Sequence, residues 1–207
     1  KLYQHGSLND AILAFEATVQ QDTSNSDAWR WLGTAHADND EDKQAIAALR
    51  SSLEADPENI EALLDAGVSY TNELVQVEAL EHLRNWLKQH PEYAGIPMAA
   101  GSEHANLFEQ QKGVIDMFIQ AAEINPSDVD IHTVLGVLWN LTREYHLAES
   151  AFKEALKYDP ENPSLWNKLG ATQANSSREN GSKDAVYAYR NALEKKPNYV
   201  RAWVNMG

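Results

Sequence analysis

Large apolar residues, small residues and prolines recur along this chain in one order and at one interval. Gly33 and Gly67 stand 34 residues apart, as do Gly136 and Gly170, Pro57 and Pro91, Pro126 and Pro160, and Ala45 and Ala79. Several residue types sharing one period mark a repeated structural unit. One copy reads Trp29, Leu32-Gly33, then Ala45, Leu49 and Pro57; the next reads Leu63, Gly67, Tyr70, Ala79, Leu83 and Pro91. A later copy reads Leu135-Gly136, Trp139, Ala148, Phe152, Ala155 and Pro160, and another Trp166, Leu169-Gly170, Ala185, Tyr189, Ala192 and Pro197. Each copy predicts two antiparallel helices. Glycine or alanine lets the pair approach closely, large residues fill the gaps between pairs, and proline ends the second helix. One pair cannot bury its apolar face alone, so neighbours must stack. Trp29, Trp139, Trp166 and Trp203 are expected to pack in that core.

The array has irregular parts. Half a repeat, with Ala11 and Phe15, precedes the first copy, and the opening of another, with Trp203 and Gly207, follows the last. The last full copy is three residues longer, through a loop at Ser176–Ser182. Residues 92–112 lack a clean first helix, whereas Val114 to Ala122, followed by Pro126, reads as an ordinary second helix. The glycines and Pro97 there predict a bend or joint. The expected organisation is therefore residues 1–91 as repeats one to three, the first partial; 92–127 as an irregular, hinge-like fourth; and 128–207 as repeats five to seven, the last truncated. Lys1 is not an initiating methionine and the final residues read as a helix cut short, so a piece of a longer protein is expected.

Composition narrows the function. Lys and Arg number 17 against 31 Asp and Glu, a net charge of -14, which argues against nucleic acid as a partner and suits a basic one. No stretch approaches the ~20 apolar residues of a membrane span. Cysteine is absent, which excludes thiol chemistry and cysteine zinc sites. His5, His36, His82, His90, His104, His132 and His146 form no metal-like spacing, and no phosphate loop, nucleophile elbow or paired catalytic carboxylates are present. No cofactor, metal or enzymatic activity is expected. Asn140-Leu-Thr, Asn175-Ser-Ser and Asn180-Gly-Ser match the N-glycosylation pattern, and are read as accidental. The run Asp38–Asp42 is read as a solvated turn.

The period and the order of residues resemble the tetratricopeptide repeat, whose pattern runs Trp, Leu-Gly, Tyr, Ala, Phe, Ala, Pro. The resemblance implies an all-α superhelix whose first helices line an inner wall. With the repeat glycine as position eight, it places Asn72, Asn140, Asn167, Asn175, Arg201 and Asn205 along that wall, with Lys168 beside Asn167. Asparagine is a mediocre helix residue, so its recurrence on one face calls for a reason. An amide offers both a donor and an acceptor, and a row of them can grip the main chain of an extended peptide. Lys168 and Arg201 add charge-assisted bonds for a carboxylate.

Finer motifs resemble one family within this class. Leu165-Trp-Asn-Lys-Leu-Gly-Ala-Thr-Gln-Ala-Asn175 is similar to the sixth repeat of the peroxisomal import receptors for C-terminal targeting signals, and Val68-Ser-Tyr-Thr-Asn-Glu73 to their third. Leu135–Leu141, Trp29–Ala37 and Tyr199–Asn205 resemble their fifth, second and seventh. The resemblance spans nearly the whole chain. It implies capture of Ser-Lys-Leu-type C-termini of peroxisomal matrix proteins in the cytosol, followed by cycling to the peroxisomal or related microbody membrane. Docking partners there would use regions outside this chain. Residue by residue, it assigns peptide contacts to Asn72, Asn140, Asn167, Asn175, Arg201 and Asn205, with Lys168 and Ala171 less central. The sequence does not name the carboxylate that would meet the signal's lysine; Glu73 and Asp38 are two candidates. Two alternatives are a co-chaperone adaptor reading another C-terminus and the repeat domain of a glycosyltransferase. The first is weakened because position nine holds Thr34, Val68, Val137 and Ala171 rather than asparagine.

Overall fold

Four of the first helices begin at a short polar residue whose side chain accepts a hydrogen bond from the helix's orphan amides. In the computed structural model, which describes residues 7–97, 106–176 and 181–207, Asn25, Asn59, Asp128 and Asn162 play this part. Asn25 and Asn59 each accept from the backbone three residues on at 2.9 Å, and Pro163 follows Asn162 at the first helical position, where its missing N–H is not needed. The helices are α1 (Leu8–Gln21), α2 (Ser26–Asp38), α3 (Asp42–Ala55), α4 (Ile60–Asn72), α5 (Gln76–Gln89) and α6 (Leu107–Ile124). They continue with α7 (Val129–Leu141), α8 (Tyr145–Tyr158), α9 (Pro163–Asn175), α10 (Gly181–Lys195) and α11 (Val200–Met206). No strand is present among the described residues, so the all-α reading is borne out.

Second helices begin differently. Asp40, Leu74 and Arg143 adopt φ of 62°, 58° and 63°, the left-handed region, at the same place in three repeats. The next residue's amide reaches back five residues, as in Glu41 to the His36 carbonyl at 2.9 Å and Glu144 to that of Trp139 at 2.8 Å. This closes the first helix with the motif that usually takes glycine. The acidic run is indeed this turn, with Asp38 ending α2 and Asp42 opening α3.

The chain divides into two compact units, Lys1–Gln110 and Gln111–Gly207. In the first, α2 pairs with α3 and α4 with α5; α3 packs on α4, and α2 also meets α4. In the second, α7 pairs with α8 and α9 with α10, while α7, α9 and α11 lie side by side in that order. The repeat glycines set each pairing. A Cβ on Gly33 would sit 2.7 Å from Leu49, one on Gly67 2.6 Å from Leu83, one on Gly136 2.6 Å from the Phe152 ring and one on Gly170 2.7 Å from the Tyr189 ring. Those four partners are buried, each worth ~1.5–3 kcal/mol of transfer free energy. Burial also pushes the Tyr189 phenol up to about 12.

Three expectations need correction. The helix expected from Val114 starts at Leu107, because Asn106 and Glu109 cap one another: the Glu109 amide donates to Asn106 Oδ1 at 3.0 Å and the Asn106 amide to Glu109 Oε2 at 3.1 Å. Residues 98–105 of the irregular stretch lie outside the described residues. The loop placed at Ser176–Ser182 is shorter, since α10 already begins at Gly181; residues 177–180 lie outside the described ones. Gly181 sits so close to the end of α9 that a Cβ would fall 2.6 Å from the Gln173 carbonyl oxygen. The four tryptophans expected in the core are not fully buried, although Trp166 packs against the buried Ala192, Leu193, Tyr199 and Ala202. Trp29, Trp139 and Trp166 are half-buried and Trp203 is 53% exposed, while the buried one is Trp86. Trp29, Trp166 and Trp203 lie over the preceding turn, their indole N–H groups donating six residues back to Thr23, Pro160 and Pro197 at 3.0, 2.8 and 3.0 Å. The indole needs a hydrogen-bond acceptor, and the turn carbonyl supplies it.

Two predictions follow from packing. Gly136→Ala should destabilise the fold by ~1–3 kcal/mol, because Phe152 must give way in a packed interior; an unchanged denaturation midpoint contradicts this. His82 of α5 stacks on Tyr70, ring centroids 5.3 Å apart, with Nδ1 buried and without a partner. Burial holds its pKa below the usual 6.5, against the pull of Glu81 and Glu78. Because the folded pKa is depressed, its contribution is full above pH ~6.5 and is lost as pH falls through the folded value. Thermal midpoints should therefore fall on acidification below neutrality, and His82→Phe should flatten that slope. An unaltered slope in the variant counts against the assignment.

Candidate functional site

The polar residues of the first helices do not simply face solvent; several reach across to the next repeat. In the first unit, Arg30 Nη1 of α2 pairs with Asp65 Oδ2 of α4 at 3.3 Å, and the Thr34 hydroxyl lies 3.2 Å from the same oxygen. The Arg30 guanidinium lies 4.3 Å from the Trp31 ring centroid. Asn72, at the end of α4, is exposed and donates through Nδ2 to Asp42 Oδ1 at 3.3 Å. The two candidate carboxylates Asp38 and Glu73 are half-buried at helix ends, and Asn72 pairs with neither in the bond above.

In the second unit the amides are more closely knit. Asn167 of α9 is 4% exposed, and its Oδ1 accepts from Asn205 Nδ2 of α11 at 3.0 Å. Burying an amide costs free energy unless its groups are paired, and here the neighbouring repeat supplies the pairing. Asn140 of α7 donates through Nδ2 to Thr172 Oγ1 of α9 at 2.8 Å. Lys168 lies one residue past Asn167, its Nζ donating to Ser164 Oγ at 2.9 Å. Ala171 is half-buried on α9, Asn175 is exposed at its C-terminal end, and Arg201 is half-buried on α11. The structure thus joins Asn167 to Asn205 directly and ties Asn140 to α9. Asn72 belongs to the first unit. Thr172 was missed because only its position opposite Asn140, 32 residues away in sequence, reveals its part.

On the other side of α9 a cavity of about 440 Å³ opens between α8, α9 and α10, walled by Leu156, Trp166, Leu169 and Tyr187. It contains none of the asparagines. The positions of α9 that line it and those that carry Asn167, Ala171 and Asn175 fall on opposite faces at helical spacing. Among the described residues, no group of His, Asp or Glu is arranged to hold a metal ion, and no helix is long and apolar enough to cross a membrane.

Paired antiparallel helices, glycine at each closest approach and first helices side by side define a tetratricopeptide repeat protein. The model of that family, described as Tetratricopeptide repeat, matches residues 2–60. A solved structure, a thermophilic TPR protein from Thermus thermophilus, shares the fold at a TM-score of 0.56 and 19% identity, covering 87% of this chain and 96% of its own. The Peroxisomal targeting signal 1 receptor of Dictyostelium discoideum is 43% identical over 206 residues, covering 91% of this chain and 30% of that protein. The Peroxisomal targeting signal receptor of Candida albicans is 38% identical over 215 residues, covering 100% of this chain and 36% of that protein. The chain belongs to the peroxisomal targeting signal receptor family. It spans about a third of the length of these relatives.

Proposed function

We propose that this protein is the cargo-binding part of a receptor for peroxisomal targeting signals. It holds the C-terminal Ser-Lys-Leu-type tail of a matrix protein in extended form against the first-helix wall. The observation that carries the reading is the cross-repeat amide set of the second unit, Asn167 with Asn205 and Asn140 with Thr172, in a chain whose relatives are named as receptors. Amides gripping main-chain groups tolerate varied side chains, as a receptor with many cargoes requires. Arg201 and Lys168 supply positive charge for the terminal carboxylate, and Asn175 and Ala171 extend the wall. The acidic character of the chain suits the basic residue of the signal.

On this reading the protein is a non-enzymatic carrier that needs no cofactor. It loads cargo in the cytosol and delivers it to the peroxisomal or related microbody membrane, where docking proteins engage regions outside this chain. Residues 1–91 and 128–207 form the regular repeats, and 92–127 the irregular joint between them. The changeover between compact units at Gln110 and Gln111 supports that division.

A fluorescent peptide ending Ser-Lys-Leu with a free carboxylate should bind the full-length protein, and amidating its C-terminus should weaken binding. Equal polarisation titrations for the two peptides would refute a carboxylate contact. Asn167→Ala should lower affinity by ~1–3 kcal/mol, the size expected for a lost hydrogen bond in a buried site. Full affinity with an intact fold removes Asn167 from the site.

A further inference from the structure

We propose that Thr172 is a positioning residue of this wall, setting which face of the Asn140 amide a ligand meets. The inference rests on the peptide-binding reading above. Thr172 is fully buried, and its hydroxyl donates to the Lys168 carbonyl oxygen at 2.8 Å. A hydroxyl has one proton, so with that proton committed Thr172 offers only lone pairs. Asn140 meets the same oxygen at 2.8 Å through Nδ2, the one amide end that can donate. Its Oδ1 is turned inward, buried and without a partner. Rotating the amide by half a turn would set Oδ1 against the threonine lone pairs, and this repulsion fixes the orientation.

The consequence is a matter of donors and acceptors. An amide nitrogen carries two protons. One is spent on Thr172, and the other is the group Asn140 has left for a ligand. The matching ligand atom is therefore an acceptor, a main-chain carbonyl or the terminal carboxylate oxygen. Without the hydroxyl the amide is free to turn, and Oδ1 then competes for the same place and opposes a ligand oxygen. Thr172 thus acts on binding only through Asn140 and makes no ligand contact of its own.

The test is a double-mutant cycle on the full-length protein, read by polarisation with the labelled Ser-Lys-Leu peptide. Thr172→Val keeps the shape and removes the hydroxyl. It should weaken binding about 3–10-fold with the helical fold intact by circular dichroism, whereas Thr172→Ser should stay within about two-fold of wild type. In an Asn140→Ala background, Thr172→Val should cost nothing further. Full affinity of Thr172→Val, or losses that multiply in the double variant, overturn the proposal while wild-type binding stands. Should wild type fail to bind the peptide, the receptor reading falls and this inference with it. If Thr172→Val does not fold, Thr172→Ala removes the same hydroxyl and carries the same cycle. Its loss should vanish in the Asn140→Ala background, and a loss that persists there contradicts the assignment.

Discussion

The close approach of two helices at a glycine is the constraint from which the rest of this structure follows. At Gly33, Gly67, Gly136 and Gly170 the partner helix presses a Leu, Phe or Tyr side chain into the space a methyl group would need. That contact fixes the separation and rotation of each pair. With the pairs fixed, stacking one on the next is the way to cover the apolar faces that remain. First helices then fall beside first helices, as α7, α9 and α11 do. Residues a repeat apart in sequence become neighbours in space.

Polar side chains exploit that neighbourhood. Asn59, the cap of α4, also donates to Ser26 Oγ of the preceding repeat at 2.9 Å, and Ser26 and Ser52 exchange hydroxyl-to-carbonyl bonds at 2.9 and 2.8 Å. These are structural stitches, satisfied and buried. Asn167 and Asn205 use the same geometry on the wall, yet they spend one amide oxygen and one nitrogen and leave further hydrogen-bonding capacity. An amide is bifunctional, so a wall held together this way still offers donors and acceptors. On the proposed reading, peptide binding extends the stitching that builds the array.

Much of this was legible in the sequence. The 34-residue interval gave the helix pairs, and the repeat glycines predicted their closest contacts. Asn25 and Asn59, like Asp128 and Asn162, stand 34 residues apart, and the structure shows them to be the caps of four first helices. The pattern was silent where the physics is not periodic. Leu74 and Arg143 occupy a left-handed position that sequence reading would reserve for glycine, because the tertiary turn outweighs local preference. The Asn106–Glu109 capping box stood in the sequence and was overlooked beside the Gly- and Pro-containing stretch before it. Tryptophan was expected inside, although its N–H makes the edge of a turn the better place. Asn167 and Asn205 were both visible as candidates, but their mutual bond was not. Thr172 looked like any helix threonine until Asn140 was seen opposite it.

The central claim is that amides from successive first helices converge on the main chain of one extended peptide. Side-chain amide resonances of Asn140, Asn167 and Asn205, followed by NMR as a peptide ending Ser-Lys-Leu is added to the protein, test it most directly. The account predicts saturable shifts of all three, with the indole and phenol signals of Trp166 and Tyr187 in the outer cavity left in place. Shifts confined to that cavity, with the three amides unmoved at saturation, would contradict it.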